Sequence, residues 1–206
     1  MLKVWGRLSS INVRKVVFTA QLLEVPFERI DAGAGFGIVR TPEYLARNPN
    51  ALVPLLEDGD FSLWESNVIV RYLAARHGEG SLYPRELRPR FEAERWMDWQ
   101  QTTLNGAGRD AFLQLVRTPA ERRDNRAVAA SVAATEPLLE MLDAQLASRP
   151  FLAGGQLTMA DIPVACEIHR WWNLPLDRPR HAHLQRWYDT LVQLPAARGV
   201  LDLPLS

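Results

Sequence analysis

Residues 48–67 read Asn-Pro-Asn-Ala-Leu-Val-Pro-Leu-Leu-Glu-Asp-Gly-Asp-Phe-Ser-Leu-Trp-Glu-Ser-Asn. Asp58-Gly59-Asp60 is turn chemistry between two short apolar runs, Val53–Glu57 and Phe61–Trp64, and so predicts a β-hairpin. Ile69, Tyr72, Leu73 and Arg76 then recur at helical spacing, which starts a helix at Glu65-Ser66-Asn67. At such a start the first backbone N–H groups lack intrahelical partners and the positive end of the helix dipole points outward, an arrangement that binds carboxylates or phosphates. Pro54 has no N–H and holds Val53 extended, as at the start or edge of a strand. Val53 is then free to pair its backbone with an extended peptide, or Pro54 simply ends a loop; the dipeptide alone is compatible with both.

Upstream, Leu2–Trp5 is a short apolar run ending at Gly6, and Val13, Val16, Val17, Ala20 and Leu23 repeat at helical spacing up to Val25-Pro26. Phe27–Ile30 supplies a second strand. Strand, helix and strand in this order predict a right-handed parallel crossover. The intervening loop, Arg7-Leu8-Ser9-Ser10-Ile11-Asn12, places two serines just ahead of a helix, where such residues ordinarily act as N-caps contributing roughly 1 kcal/mol.

The Asn-Pro, Val-Pro and Glu-Ser series, taken with this order of elements, resembles the glutathione transferase superfamily over nearly the whole chain. The resemblance implies a thioredoxin-like α/β N-terminal domain followed by an all-α C-terminal domain, with glutathione as co-substrate and an electrophilic small molecule as second substrate. It further implies that Pro54 is cis, that Val53 pairs with the cysteine of glutathione, and that Glu65 and Ser66 hold the γ-glutamyl end. In serine-type members a serine after the first strand precedes a basic residue and Val, as in Ser10-Ile11-Asn12-Val13-Arg14-Lys15-Val16. On that resemblance Ser10, rather than Ser9, stabilises the thiolate, with Asn12 as a second polar contact. Two positions depart from the pattern. Arg40 stands near where the family carries a Lys or His for the glycine carboxylate, and Leu52 replaces a Gln before Val-Pro, so either glutathione is held less tightly or another residue compensates.

Size and composition agree with a globular chain. It has 206 residues, 47% of them hydrophobic, and Lys+Arg and Asp+Glu both total 24, which gives no reason to expect a nucleic-acid or acidic-membrane partner. One cysteine, Cys166, excludes an internal disulfide and reads as a core residue. No secretory signal or bilayer-spanning run is evident, so the expected location is cytoplasmic. The glycines of residues 31–37 are not a phosphate cradle, because no Lys-Ser/Thr follows them. Thr41-Pro42-Glu43 reads instead as a short helix start.

The expected domains are residues 1–78 and 88–206, with a linker of Gly, Ser and Pro around Gly78–Pro89. Beyond it the sequence reads as helix: Phe91–Asn105, a stretch near Phe112–Arg117, Ala127–Ala147, Met159–Trp172 and His183–Leu194. Leu157-Thr158-Met159-Ala160-Asp161-Ile162 is a capping box with an apolar staple, a folding feature. Trp96, Trp99 and Thr103 share a helix face; family resemblance makes Trp99 and Thr103 candidates for the second-substrate pocket. His181 and His183 lack a third ligand nearby, so no metal is expected and a surface loop is the simpler reading. The resemblance also implies a homodimer. The function expected is glutathione transfer; an isomerase, dehalogenase or peroxidase on the same fold, or a non-catalytic interaction module, are the alternatives.

Overall fold

The computed structural model describes residues 1–205. Four strands, β1 (Leu2–Trp5), β2 (Phe27–Ile30), β3 (Leu55–Asp58) and β4 (Phe61–Trp64), form one sheet in the order β2-β1-β3-β4. β1 runs parallel to β2 and antiparallel to β3, and β3 pairs antiparallel with β4. The hairpin closes through Gly59-Asp60, with Asp58 opposite Phe61 and Gly59 at φ +65°, the conformation a tight two-residue turn needs at its first position. Helix α1 (Ile11–Leu22) makes the crossover from β1 to β2, α2 (Pro42–Leu45) is a single turn, and α3 (Ser66–His77) follows β4. The Thr41 hydroxyl accepts from the Tyr44 N–H and Pro42 occupies the first helical position, so α2 starts as its sequence dictates.

After α3 the chain forms no further strand among the described residues, and its long elements are helices: α4 (Leu87–Trp99), α5 (Asn105–Phe112), α6 (Asn125–Leu146), α7 (Asp161–Trp172) and α8 (Ala182–Val192). The architecture is a thioredoxin-like α/β domain followed by an all-α domain. α4 begins at Leu87, ahead of the expected Phe91, because Pro89 lies in its first turn, where a missing N–H breaks no helix bond. α4 and α5 are joined without a break by a π-helical segment, Gln100–Leu104, and a second π-helical segment, Leu113–Arg117, extends α5.

α1 is buried on every side from Val13 to Ala20, since it packs on α3 and the sheet on one side and on α7 on the other. Burial that complete brings a charge with it. The Lys15 ammonium is fully buried and donates to Gln100 Oε1 at 2.9 Å and Gln101 Oε1 at 3.2 Å; Gln100 in turn donates to Glu167 Oε2 at 2.8 Å. Burial pulls the Lys15 ammonium down to about 8. This chain of polar contacts links α1 to the π segment and to α7, so the two halves are registered by hydrogen bonds as well as by apolar packing.

At the start of α7, Asp161 is fully buried. Its Oδ2 accepts from the Thr158 N–H at 2.9 Å, its Oδ1 from the Leu152 N–H at 3.0 Å and from the Trp187 Nε1–H at 2.9 Å. Thr158 Oγ1 accepts from the Ala160 N–H at 3.3 Å, so the reciprocal capping contacts form, although regular helix begins only at Asp161. His181 differs from its expected place on a surface loop. It is buried, and its Nε2 lies 3.1 Å from Glu136 Oε2, a partner 45 residues away. Among the described residues no group of three or more His, Cys, Asp or Glu is arranged to hold a metal ion.

Candidate active site

Two concavities meet at the N-terminal end of α1. The first is a small groove of about 50 Å³, lined by Asn12, Asn48, Asn50, Leu52, Val53, Pro54, Trp64, Glu65 and Ser66. The second is a cavity of about 350 Å³, whose walls include Arg7, Ser9, Ser10, Ile11, Asn12, Phe112, Leu113 and Cys166. Asn12 borders both, and it accepts a hydrogen bond from the Ser66 hydroxyl at 3.2 Å, tying the start of α1 to the start of α3.

The groove is built from backbone. The Val53–Pro54 peptide bond is cis, and among the described residues no hydrogen bond within the chain engages the Val53 N–H or C=O. The loop before it is pinned by Asn48, which is buried: its Nδ2 donates to the Leu52 carbonyl at 2.8 Å and its Oδ1 accepts from the Asn50 N–H at 3.1 Å. The Tyr44 hydroxyl donates to the same Leu52 carbonyl at 2.6 Å. Leu52 therefore serves through its carbonyl, while its side chain is 66% exposed at the rim. Asn50 brings a side-chain amide to the groove that Leu52 itself lacks.

Glu65 adopts φ +72°, an unfavourable conformation for a residue with a Cβ, and stands exposed at the N-cap of α3 without capping it. Beyond Glu65 at the cap itself, the first turn of α3 holds no acidic residue, and its first N–H groups are open to whatever enters the groove.

At Ser10 the ordinary capping interpretation fails on a specific point. Ser10 is the N-cap of α1 by its backbone, with its carbonyl accepting from the Val13 N–H at 3.1 Å and the Arg14 N–H at 3.0 Å, yet its hydroxyl makes no capping bond. The hydroxyl is left at the cavity wall beside a helix N-terminus with no acidic residue in its first turn. The loop is held there by the end of β2 and the residues after it, through the Gly6 N–H to the Ile30 carbonyl at 2.8 Å and the Arg7 N–H to the Ala32 carbonyl at 3.3 Å. Gly6 has φ +148°, and a Cβ there would lie 2.4 Å from a Val13 methyl and 3.1 Å from the Val53 Cβ, so glycine is what lets this loop approach both the helix and the groove.

Ser9 lines the same cavity. Cys166 does too, but burial pushes its thiol up to about 12, which leaves it protonated and unreactive near neutrality. His169 is also committed, its ring nitrogens 2.9 Å from the Tyr188 hydroxyl and 2.8 Å from the Leu203 carbonyl, and burial disfavours its charged form.

Residues 1–75 match the family described as Glutathione S-transferase, N-terminal domain, and residues 125–190 match Glutathione S-transferase, C-terminal domain. The chain belongs to the glutathione transferase family. It is 45% identical to glutathione S-transferase GstB of Escherichia coli strain K12 over 208 aligned residues, covering 100% of both chains. It superposes with a TM-score of 0.96 and 43% identity on the crystal structure of a theta class glutathione S-transferase from Xanthomonas axonopodis pv. citri with glutathione bound, covering 100% of this chain and 99% of that one. Glutathione S-transferase 4 of Zea mays is 29% identical, with 96% of this chain and 91% of the maize protein aligned.

Within this transferase chain the structure brings Ser10 and Asn12 to the cavity wall and Asn12, Leu52, Val53, Pro54, Glu65 and Ser66 to the groove. Arg40 lies exposed and lines neither. Trp99 and Thr103 also line neither: Trp99 packs edge-on against buried Trp96 at 5.2 Å between ring centroids, and Thr103 is exposed on the π segment. The cavity is faced instead by Arg109, Phe112, Leu113 and Arg117 of α5 and its π extension. Their spacing is the signal by which the sequence could have yielded them, since residues i, i+3, i+4 and i+8 share a helix face.

Proposed function

We propose that the chain is a glutathione transferase that ionises the thiol of bound glutathione and directs it at an electrophilic centre. The observation that carries this reading is the uncommitted Ser10 hydroxyl, set at a helix N-terminus in a cavity contiguous with the groove of Val53, Pro54 and Ser66. Glutathione lies extended along the groove, pairs through its backbone with Val53, and sets its γ-glutamyl carboxylate on the Ser66 hydroxyl and the first N–H groups of α3, with its α-ammonium against the Glu65 carboxylate. Asn50 supplies the amide that Leu52 does not.

A thiol of ordinary pKa, about 8.5, is only a few per cent ionised near neutrality. A hydroxyl hydrogen bond to sulfur and the positive end of α1 both favour the anion, so no general base is needed. The thiolate forms the new carbon–sulfur bond, and the leaving group departs with its electron pair where the electrophile carries one. A mechanism through Cys166 lacks support, because its thiol is held protonated.

Glu65→Ala and Ser66→Ala are each expected to weaken glutathione binding roughly tenfold, the worth of one charge-assisted hydrogen bond. Calorimetric titration with glutathione is the check; unchanged affinity in both variants would place the γ-glutamyl group elsewhere.

The division of labour proposed is glutathione binding by residues 1–78 and electrophile binding by 88–206 together with the Ser9-Ser10 loop. A cytoplasmic location and a role in detoxification belong to the same proposal, and fractionation of cells with an antibody to the chain would test the location.

A homodimer completes the reading, supported by an apolar surface on α3 and α4. Val68 is 42% exposed, Leu87 65% and Phe91 62%. The Arg71–Glu94 ion pair joins the two helices one turn from Val68 and from Phe91, which brings these side chains onto a common face. A monomer mass in light scattering at micromolar concentration would remove the dimer.

A further inference from the structure

The cavity beside Ser10 is unusual in charge. Five arginines line it and, among the described residues, no carboxylate does. Two of the five are already committed. Arg14 donates to the carbonyls of Leu8 at 2.7 Å and Pro204 at 2.8 Å, and Arg170 pairs with Glu167 and donates to Asn105. Arg7, Arg109 and Arg117 are different: none of them makes a side-chain hydrogen bond or an ion pair among the described residues. The Arg7 Nε–H is moreover buried without a partner, and Arg7 is close enough to Arg117 for the two charges to repel. Buried donors and like charges held together without a counter-ion are what an anion site looks like when empty of its anion. Apolar surface is present too, in Ile11, Phe112 and Leu113, with the Arg117 guanidinium 5.6 Å from the centre of the Phe112 ring.

We infer that the electrophile taken by this enzyme is a small organic acid, whose carboxylate is held by Arg7, Arg109 and Arg117 while its reactive carbon lies over Ile11 and Phe112 toward Ser10. The inference rests on the transferase reading and adds the charge of the second substrate to it. Arg7 also adjoins Gly33 and thereby the Val53 side of the groove, since a Cβ on Gly33 would lie 3.0 Å from Arg7 Nη1 and 3.4 Å from a Val53 methyl. It therefore borders both ligands, and the variants that isolate the second are those at Arg109 and Arg117, on the far wall. For such an acid carrying a halogen on its electrophilic carbon, the glutathione thiolate sulfur bonds to that carbon, the carbon–halogen bond breaks, and halide leaves with the bonding pair; the carboxylate is unchanged and no oxidant or reductant takes part.

The test uses two aryl chlorides of the same shape, 4-chloro-3,5-dinitrobenzoate and 4-chloro-3,5-dinitrobenzamide, with kcat/KM for each divided by its uncatalysed rate constant with glutathione. Calorimetry of the unreactive 3,5-dinitrobenzoate and 3,5-dinitrobenzamide on the glutathione-saturated protein accompanies it. The acid is expected to be favoured over the amide about tenfold or more in both measurements, as charge-assisted hydrogen bonds dictate. The preference should fall severalfold in Arg109→Gln and Arg117→Gln and nearly vanish in the double variant. Because the readout is a ratio within one protein, a variant that folds less well does not mimic the effect. Equal binding of acid and amide to the native enzyme, or a preference that survives the double variant, overturns the inference. Tighter binding of the acid without turnover of either chloride would leave the anion site standing and remove the transferase reading.

Discussion

Asp161→Ala is expected to lower the free energy of unfolding by about 4 kcal/mol, a large share of the ~5–15 kcal/mol that holds a typical domain together. The carboxylate is fully buried and takes hydrogen bonds from the N–H groups of Leu152 and Thr158 and from the Trp187 indole. Removing it strands three buried donors, each costing about 1–3 kcal/mol. Asp161→Asn should cost less. Its amide oxygen can still serve Leu152 and Trp187, leaving only the Thr158 N–H against an NH₂ group. Thr158→Ala removes one capping acceptor and should cost about 1 kcal/mol. Urea denaturation of the three variants gives the order Ala, Asn, then the Thr158 variant, from most to least destabilised. An Asp161→Ala protein within about 1 kcal/mol of wild type would show that this carboxylate does not organise the α7–α8 junction.

The second large effect is catalytic. Ser10→Ala is expected to raise the pKa of bound glutathione by roughly one to two units, because a hydrogen bond to a charged acceptor is worth ~1.5–3 kcal/mol. The sign follows from which form the hydroxyl favours: it stabilises the anion, so its loss shifts ionisation upward. At pH values below the native pKa the variant should be about 10- to 100-fold slower in kcat/KM toward 1-chloro-2,4-dinitrobenzene. As pH rises past the shifted pKa the deficit should close, since the missing hydroxyl matters only for populating the thiolate. Ser9→Ala, whose hydroxyl lies one residue before the α1 N-cap, should shift the profile much less. If Ser9→Ala carried the large shift, the activating hydroxyl would be one residue earlier in the chain.

The N-terminal half was legible because its signals are local. Apolar runs of four residues, an Asp-Gly-Asp turn and a Thr-Pro helix start each specify their element within a few positions, and β1, β2, β4 and α2 lie where those signals put them. The continuation of the α4 helix through α5 was not, because Gly106-Ala107-Gly108 reads as a break after Asn105, although the chain stays helical across it. Gln100 is fully buried inside the helix, where it satisfies Lys15, a partner 85 residues away. A polar residue in a core position reads as surface unless its partner is known. The same blindness put His181 on a surface loop, when Glu136 holds it inside.

The site divides along the same line. Val53, Pro54, Glu65 and Ser66 came from turn chemistry and family resemblance within one continuous stretch, and the structure gathers them in one groove. The far wall of the cavity was missed. Nothing local in the sequence singles out Arg109 and Arg117, which line the cavity with the Ser9-Ser10 loop of the other half of the chain. Trp99 was a candidate through family resemblance, and its ring packs edge-on against Trp96.

The central claim is that this protein lowers the pKa of bound glutathione through the Ser10 hydroxyl. It is tested most directly by titrating the ultraviolet thiolate absorbance of glutathione against pH, free and bound to saturating wild-type or Ser10→Ala protein. The account predicts that glutathione on the wild-type protein ionises at least one unit below the ~8.5 of an ordinary free thiol, and that on Ser10→Ala most of that shift disappears while binding is retained. A bound thiol that titrates like the free one on wild-type protein, or an unchanged shift on Ser10→Ala, would contradict it.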